Sequence, residues 1–281
     1  LMFSGVLTAL IAPFKSDAVD MAAFARFVEW QINEGINGVI VNGTTGEVPT
    51  LSESEQDSLL AEALKVAKGR IPVIAGTGGN DTAHVIARTR KAQEMGAQGA
   101  LVVTPYYNKP TQEGLYQHFK AVHDATNLPI IIYNIPGRSV VDMSVETMKR
   151  LAELPRIVGV KDATADLARP LRTRTEIGPD FIQLSGEDAT VGAFLAQGGH
   201  GVISVTSNIA PRLYSELYKA WVAGEHAVYA QKRDALMPIH SALFCETSPA
   251  PVKYATSLLG FGSGAVRLPL VAATPNARSK V

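Results

Sequence analysis

Short runs of β-branched and other apolar residues alternate along the chain with longer segments in which apolar residues recur every three or four positions. The short runs fall at 6–11, 38–41, 72–75, 100–104, 130–133, 157–161, 181–184 and 201–205. Several are continuous in Val and Ile, the composition of strands buried on both faces of a parallel sheet. The longer segments carry helix starts. Asp20 can cap a helix that places Phe24, Phe27, Val28 and Ile32 on one stripe. Ser52 with Glu55 forms a capping box ahead of Leu59, Leu60, Ala63 and Leu64. Thr82, Thr111, Ser144 and Asp188 or Thr190 are further starts. Each unit is about thirty residues long, as a strand, a crossover helix and two loops require. Eight such units fit an α/β fold of the closed (β/α)8 TIM-barrel type better than an open doubly wound sheet.

The pattern changes after residue 223. Segments 225–244 and 251–259 read as helices with no strand between them, and Ala223-Gly224 is a turn, not a linker. The expected organisation is a catalytic barrel over 1–223 and a C-terminal helical region over 224–281 packed on it. Residues 274–281 read as the start of a helix that stops early, as if the natural chain were longer. No repeat is visible beyond the βα period.

Composition narrows the function classes. Twenty-six basic residues balance 26 acidic ones in 281, so no global field attracts nucleic acid or an anionic membrane. No stretch is long enough to span a bilayer, and the apolar N-terminus lacks the basic flank and cleavage pattern of a leader. The expectation is a soluble, cytoplasmic protein. Cys245 is the only cysteine, which excludes an internal disulfide and reads as a small buried hydrophobe. The six histidines show no metal-ligand spacing. Gly76-Thr77-Gly78-Gly79-Asn80 follows strand three, whereas barrel phosphate sites follow strands seven and eight, so it reads as a turn.

Barrel active sites gather at the C-terminal ends of the strands, which gives four stretches a possible chemistry. Ile157-Val158-Gly159-Val160-Lys161-Asp162 places a lysine at the end of strand six, with Gly159 on the same face leaving room below it. A neutral lysine amine attacks a ketone to form a Schiff base; a lysine snorkelling to water is the competing reading. Tyr133 ends strand five, where its phenol could move protons beside that amine. Asn42-Gly43-Thr44-Thr45-Gly46-Glu47 ends strand two in a tight loop whose N–H groups and hydroxyls suit a carboxylate, or form a plain turn. Arg138 follows strand five and could grip a carboxylate with its fork, or stand solvated. Thr104-Pro105-Tyr106-Tyr107-Asn108-Lys109-Pro110 is a rigid aromatic loop suited to a subunit contact.

Five motifs in order, Gly43-Thr44-Thr45-Gly46-Glu47, Pro105-Tyr106-Tyr107-Asn108-Lys109-Pro110, Tyr133-Asn134-Ile135-Pro136-Gly137-Arg138, Gly159-Val160-Lys161-Asp162-Ala163-Thr164 and Leu184-Ser185-Gly186-Glu187-Asp188, resemble the dihydrodipicolinate synthase family. That family belongs to the pyruvate-dependent class I aldolase superfamily, and the resemblance runs from about Gly5 to Val281. It implies that Lys161 captures pyruvate as a Schiff base, with no metal or dissociable cofactor. The derived enamine then attacks the aldehyde of L-aspartate 4-semialdehyde, and cyclisation gives the hydroxylated tetrahydrodipicolinate of lysine and diaminopimelate biosynthesis. Tyr133, Thr44 and Tyr107 match the family's proton relay, Tyr107 entering the neighbouring subunit's site, which implies a homotetramer built as a dimer of dimers. Thr45 matches the residue that holds the pyruvate carboxylate, Gly186 and Ile203 line the pocket, and Arg138 matches the residue that binds the semialdehyde carboxylate.

One region departs from the family pattern. Lysine-inhibited members bind the feedback ligand at the positions of Val48, Pro49, Glu53, Gln56, Asn80, His84 and Tyr106. They commonly carry histidine at 56, often with another at 53, and a carboxylate at 84. Glu53, Gln56 and His84 rearrange those charges, which implies weak or absent lysine inhibition. Two other readings stand beside this one. N-acetylneuraminate lyase and keto-deoxy-sugar-acid aldolases share the lysine and tyrosine, though Arg138 and the Thr44-Thr45 pair argue against them. A catalytically silent keto-acid-binding barrel would keep the fold without the turnover.

Overall fold

The computed structural model describes residues 2–281. Eight parallel strands, β1 (Gly5–Ala9), β2 (Gly38–Val41), β3 (Val73–Gly76), β4 (Gly99–Val103), β5 (Ile130–Asn134), β6 (Ile157–Asp162), β7 (Ile182–Ser185) and β8 (Gly201–Ser204), follow one another around a closed barrel. A helix follows each in turn: α1 (Met21–Asn33), α2 (Glu53–Ala67), α3 (Thr82–Met95), α4 (Gln112–Ala125), α5 (Val145–Ala152), α6 (Arg169–Ile177), α7 (Val191–Ala196) and α8 (Pro211–Val222). Then come α9 (His226–Leu243), α10 (Ala250–Leu258) and α11 (Pro275–Lys280). Every expected strand is present, with ends within two residues of the expected ones. Every residue of β1, β2, β5, β7 and β8 is buried, which is why the Val and Ile runs of β2 and β5 are continuous; β7, Ile-Gln-Leu-Ser, alternates although both of its faces are covered. Among the described residues no helix is long and apolar enough to cross a membrane.

The chain divides into two compact units, one made of Ile74–Ile203 with the residues just before Gly5, the other of Gly5–Val73 with Ser204–Val281. In the first unit β5 and β6 pair with a register shift between Ile130 and Ile131: Ile130 faces Ile157, Ile131 faces Gly159, and Val158 is the extra residue. Such a bulge re-aims the side chains that follow it. Here it sets Tyr133 opposite Lys161 and Asn134 opposite Asp162. Unbroken alternation does not describe this strand. Gly159 also differs from expectation. A Cβ on it would lie 2.4 Å from the Ile182 carbonyl oxygen and 2.6 Å from the Ile182 Cβ, so glycine there admits the neighbouring strand β7 and leaves no room beneath the lysine.

In the second unit the Asp20 carboxylate accepts from the Ala23 amide, and α1 buries Ala23, Phe24, Phe27, Val28 and Gln31. Gln31 takes a core place that the stripe reading gave to the half-buried Ile32. A polar side chain is tolerated there because its amide is satisfied: the Thr8 hydroxyl donates to its Oε1 at 2.7 Å, and its Nε2 donates to the Ser207 carbonyl at 2.9 Å. Ser52 and Glu55 make both halves of the capping box. Phe14–Lys15 and Ala18–Val19 form a short antiparallel ribbon that periodicity did not reveal. The C-terminal helices belong to this unit, where α9 packs against α8. Cys245 is half-buried, not buried as expected.

Candidate active site

Lys161 and Tyr133 lie one residue short of their strand ends, because β5 and β6 each run one residue further than the apolar runs suggest. Both are buried, at 7% and 6% exposure, and the lysine Nζ stands 4.1 Å from the centroid of the Tyr133 ring. The negative face of the ring attracts the ammonium without accepting its protons in strong hydrogen bonds. Among the described residues Lys161 makes no ion pair. Its amine is thus enclosed and held in place, yet uncommitted, which is the condition a nucleophilic amine needs.

Polar groups that sequence reasoning passed over brace this pair. Asp162, beside Lys161, accepts through Oδ1 from the Thr164 amide at 2.9 Å and the Thr164 hydroxyl at 2.7 Å. Its Oδ2 lies 3.5 Å from Arg169 Nε without the alignment of a hydrogen bond. Burial pushes the Asp162 carboxyl up, against the lowering effect of Thr164 and Arg169. Arg169 also donates to the Met143 carbonyl and stands 3.6 Å from Asp142. Asp142 in turn accepts from the Asn134 amide at 2.8 Å. Only the position of Asp162 and Asn134, one residue beyond the two candidate residues, could have pointed to this brace.

After β7, the Gly186 amide donates to the Asp162 carbonyl at 2.7 Å, and a Cβ on Gly186 would meet the Ala163 Cβ at 2.6 Å. Only glycine permits so close a crossing at the rim. Burial and the neighbouring Asp188 push the Glu187 carboxyl up, while the Lys161 charge opposes the rise. Ile203 is buried in β8. Arg138 is exposed on a helical turn, Pro136–Ser139, which ends at Val140 with φ +66°. A β-branched residue in the left-handed region is strained, and it closes the turn by donating its amide to the Pro136 carbonyl at 3.0 Å.

Thr44 and Thr45 belong to the other unit, in the loop after β2. The Gly46 amide donates to the Gly43 carbonyl at 3.1 Å and the Glu47 amide to the Thr44 carbonyl at 3.0 Å. Those two N–H groups are therefore used inside the loop. The half-buried Thr44 and the buried Thr45 keep the candidate hydroxyls. Tyr107 is 89% exposed with φ +73°, and the loop is tied down by Asn80, whose amide donates to the Tyr106 carbonyl at 3.2 Å. Asn108 returns a bond to the Asn80 carbonyl at 2.8 Å. Of the remaining residues in the lysine-binding pattern, His84 is exposed in the first unit; Val48, Pro49, Glu53 and Gln56 lie in the second. There the Gln56 side chain donates to the Leu51 carbonyl at 3.1 Å. Among the described residues no group of three or more His, Cys, Asp or Glu could hold a metal ion.

The chain is similar to known proteins along its whole length. The model of the dihydrodipicolinate synthetase family matches residues 2–281. The 4-hydroxy-tetrahydrodipicolinate synthase of Rhodospirillum centenum is 62% identical over 280 residues, which cover 100% of this chain and 96% of that protein. The crystal structure of dihydrodipicolinate synthase from Thermotoga maritima superposes with a TM-score of 0.97 at 43% identity, covering 100% of this chain and 96% of that one. A dihydrodipicolinate synthase variant described as the first monomeric one matches equally well, with a TM-score of 0.97, 43% identity and coverage of 99% and 94%. With its rim lysine on a rim tyrosine and a match along essentially its whole length, this chain belongs to the dihydrodipicolinate synthetase family.

Proposed function

We propose that this protein condenses pyruvate with L-aspartate 4-semialdehyde to give 4-hydroxy-tetrahydrodipicolinate, as its relatives are named for doing. The observation that carries the reading is the uncommitted Lys161 amine 4.1 Å over the Tyr133 ring. The Lys161 Nζ adds to the pyruvate ketone and water leaves, forming an imine. The imine draws electrons from the methyl carbon, which loses a proton to give the enamine, and the enamine carbon attacks the aldehyde. The semialdehyde amine then attacks the imine carbon, closing the ring and releasing Lys161. No dissociable cofactor takes part, because the imine itself accepts the electrons.

Tyr133 is the group placed to carry protons to and from the nascent carbinolamine, with Thr44 and Tyr107 completing the relay. Thr45 holds the pyruvate carboxylate, Gly186 and Ile203 line the pocket, and Arg138 receives the carboxylate of the semialdehyde. The exposure and strained backbone of Tyr107 support its use by a neighbouring subunit in a homotetramer. In this reading the barrel over 1–223 carries the chemistry, the helices over 224–281 support it, and the enzyme works in the cytoplasm. The altered charges at Glu53, Gln56 and His84 make lysine a weak effector. Purified protein supplied with pyruvate and a series of aldehydes tests the substrate assignment: turnover is expected with aspartate semialdehyde. Turnover confined to sugar aldehydes would assign a sugar-acid aldolase instead.

A further inference from the structure

Glu47 closes the loop that carries Thr44 and Thr45, and its carboxylate is held on both oxygens by distant parts of the same unit. Lys253 of α10 donates to Oε2 at 2.5 Å, and the Arg267 amide donates to Oε1 at 2.9 Å. Both ends of the ion pair are 1% exposed, and the Lys253 Nζ also sits 3.6 Å from the centroid of Phe14. Around them, the Arg267 guanidinium forks onto Glu55 at 2.7 and 2.8 Å and donates to the Thr50 carbonyl at 2.9 Å. Glu55 is the third residue of α2, and its carboxylate completes the capping box by accepting from the Ser52 amide. The loop is thus gripped just after Thr45 and again where it enters the helix.

The grip has a local purpose. Glu47 has φ +57°, a left-handed conformation that is unfavourable for a residue with a Cβ. Its amide, in that conformation, closes the turn onto the Thr44 carbonyl. A Cβ on Gly46 would stand 3.3 Å from the Leu10 carbonyl oxygen, so the loop is also tight on its inner side. A buried ion pair is a weak source of stability compared with an apolar pair of the same volume, but it fixes one arrangement.

We infer that Glu47 and Lys253 are positioning residues: their buried pair fixes the loop so that Thr44 and Thr45 present their hydroxyls to pyruvate. The inference rests on the proposed role of Thr44 and Thr45 at the Lys161 imine. The test is steady-state kinetics of K253M, with borohydride trapping of pyruvate on Lys161 as a parallel readout. Displacement of the threonines raises the pyruvate KM about ten-fold and slows trapping, while the semialdehyde KM stays within about two-fold. A merely structural role lowers kcat through the folded fraction and leaves both KM values in place; that result overturns the inference. Should K253M fail to fold, the double variant E47L/K253M carries the same test, since an apolar pair of similar volume keeps the core packed. If the unmodified protein forms no pyruvate adduct, the proposed function fails and not the positioning role alone.

Discussion

Among the described residues two lysines are buried, each over an aromatic ring, and they have opposite characters. Lys253 sits 3.6 Å from Phe14 with a carboxylate 2.5 Å away, so its amine is bound into a fixed ion pair. Burial lowers its pKa to about 8, with Glu47 opposing the fall. Lys161 sits 4.1 Å from Tyr133 and has no ion pair among the described residues. The ring restrains both amines in the same manner; the carboxylate decides which one can leave its place and react. A buried lysine is therefore read for function by what occupies its protons, not by its burial.

The strongest way to break the comparison is to remove each amine in turn. K161A is expected to abolish condensation, with no pyruvate adduct, while the fold and unfolding midpoint stay near those of the parent. Y133F keeps the ring under the lysine and removes the proton carrier. It should still trap pyruvate on Lys161, but more slowly, while turnover falls about 100-fold, the usual scale of a lost general acid–base group. Turnover in Y133F equal to that of the parent would mean that the ring, not the phenol, is the contribution.

On the Lys253 side the effect is expected in stability as well as kinetics. K253M leaves Glu47 buried without its cation, which costs about 3–5 kcal/mol, whereas E47L/K253M should recover most of that loss in urea unfolding. An unchanged midpoint in K253M would mean that the pair is solvated and the contrast between the lysines is smaller than drawn.

Acid unfolding gives the mildest test. Burial lowers the His118 pKa to about 4, so the folded chain keeps it neutral while the unfolded chain takes up a proton below about 6.5. Stability should fall by about 3 kcal/mol as pH drops from 6.5 to 4. Below that, Glu55, held at about 2 mainly by the Arg267 fork, contributes stability present above 4.5 and lost on descent to 2. H118F should flatten the first slope and R267M the second, read as urea midpoints across the pH series.

The barrel was legible in the chain because both-faced burial makes parallel strands into continuous Val and Ile runs, and because Asp20, Ser52, Thr111, Ser144 and Thr274 cap helices with the side chains that the chemistry of caps requires. Lys161 and Tyr133 were legible as rim residues, and the structure brings those two together. The bulge at Val158 was not: a one-residue register shift is decided by pairing with β5, and nothing in six residues of β6 encodes its partner. The Glu47–Lys253 pair was half visible, since Glu47 closes a recognisable loop and Lys253 interrupts the apolar run of α10. Their meeting spans 206 positions and depends on the fold. Asp162, at a strand end, and Arg169, at a helix start, escaped notice because charged residues at such places are ordinarily solvated.

The account turns on one amine being reactive and the other being held. Intact-mass and peptide mass spectrometry after borohydride reduction with pyruvate tests this directly, on the parent, K161A and K253M. The expected result is a single pyruvate-derived adduct on Lys161 in the parent, none in K161A, and a slower but still Lys161-located adduct in K253M. An adduct on Lys253, or no adduct on the parent, would contradict it.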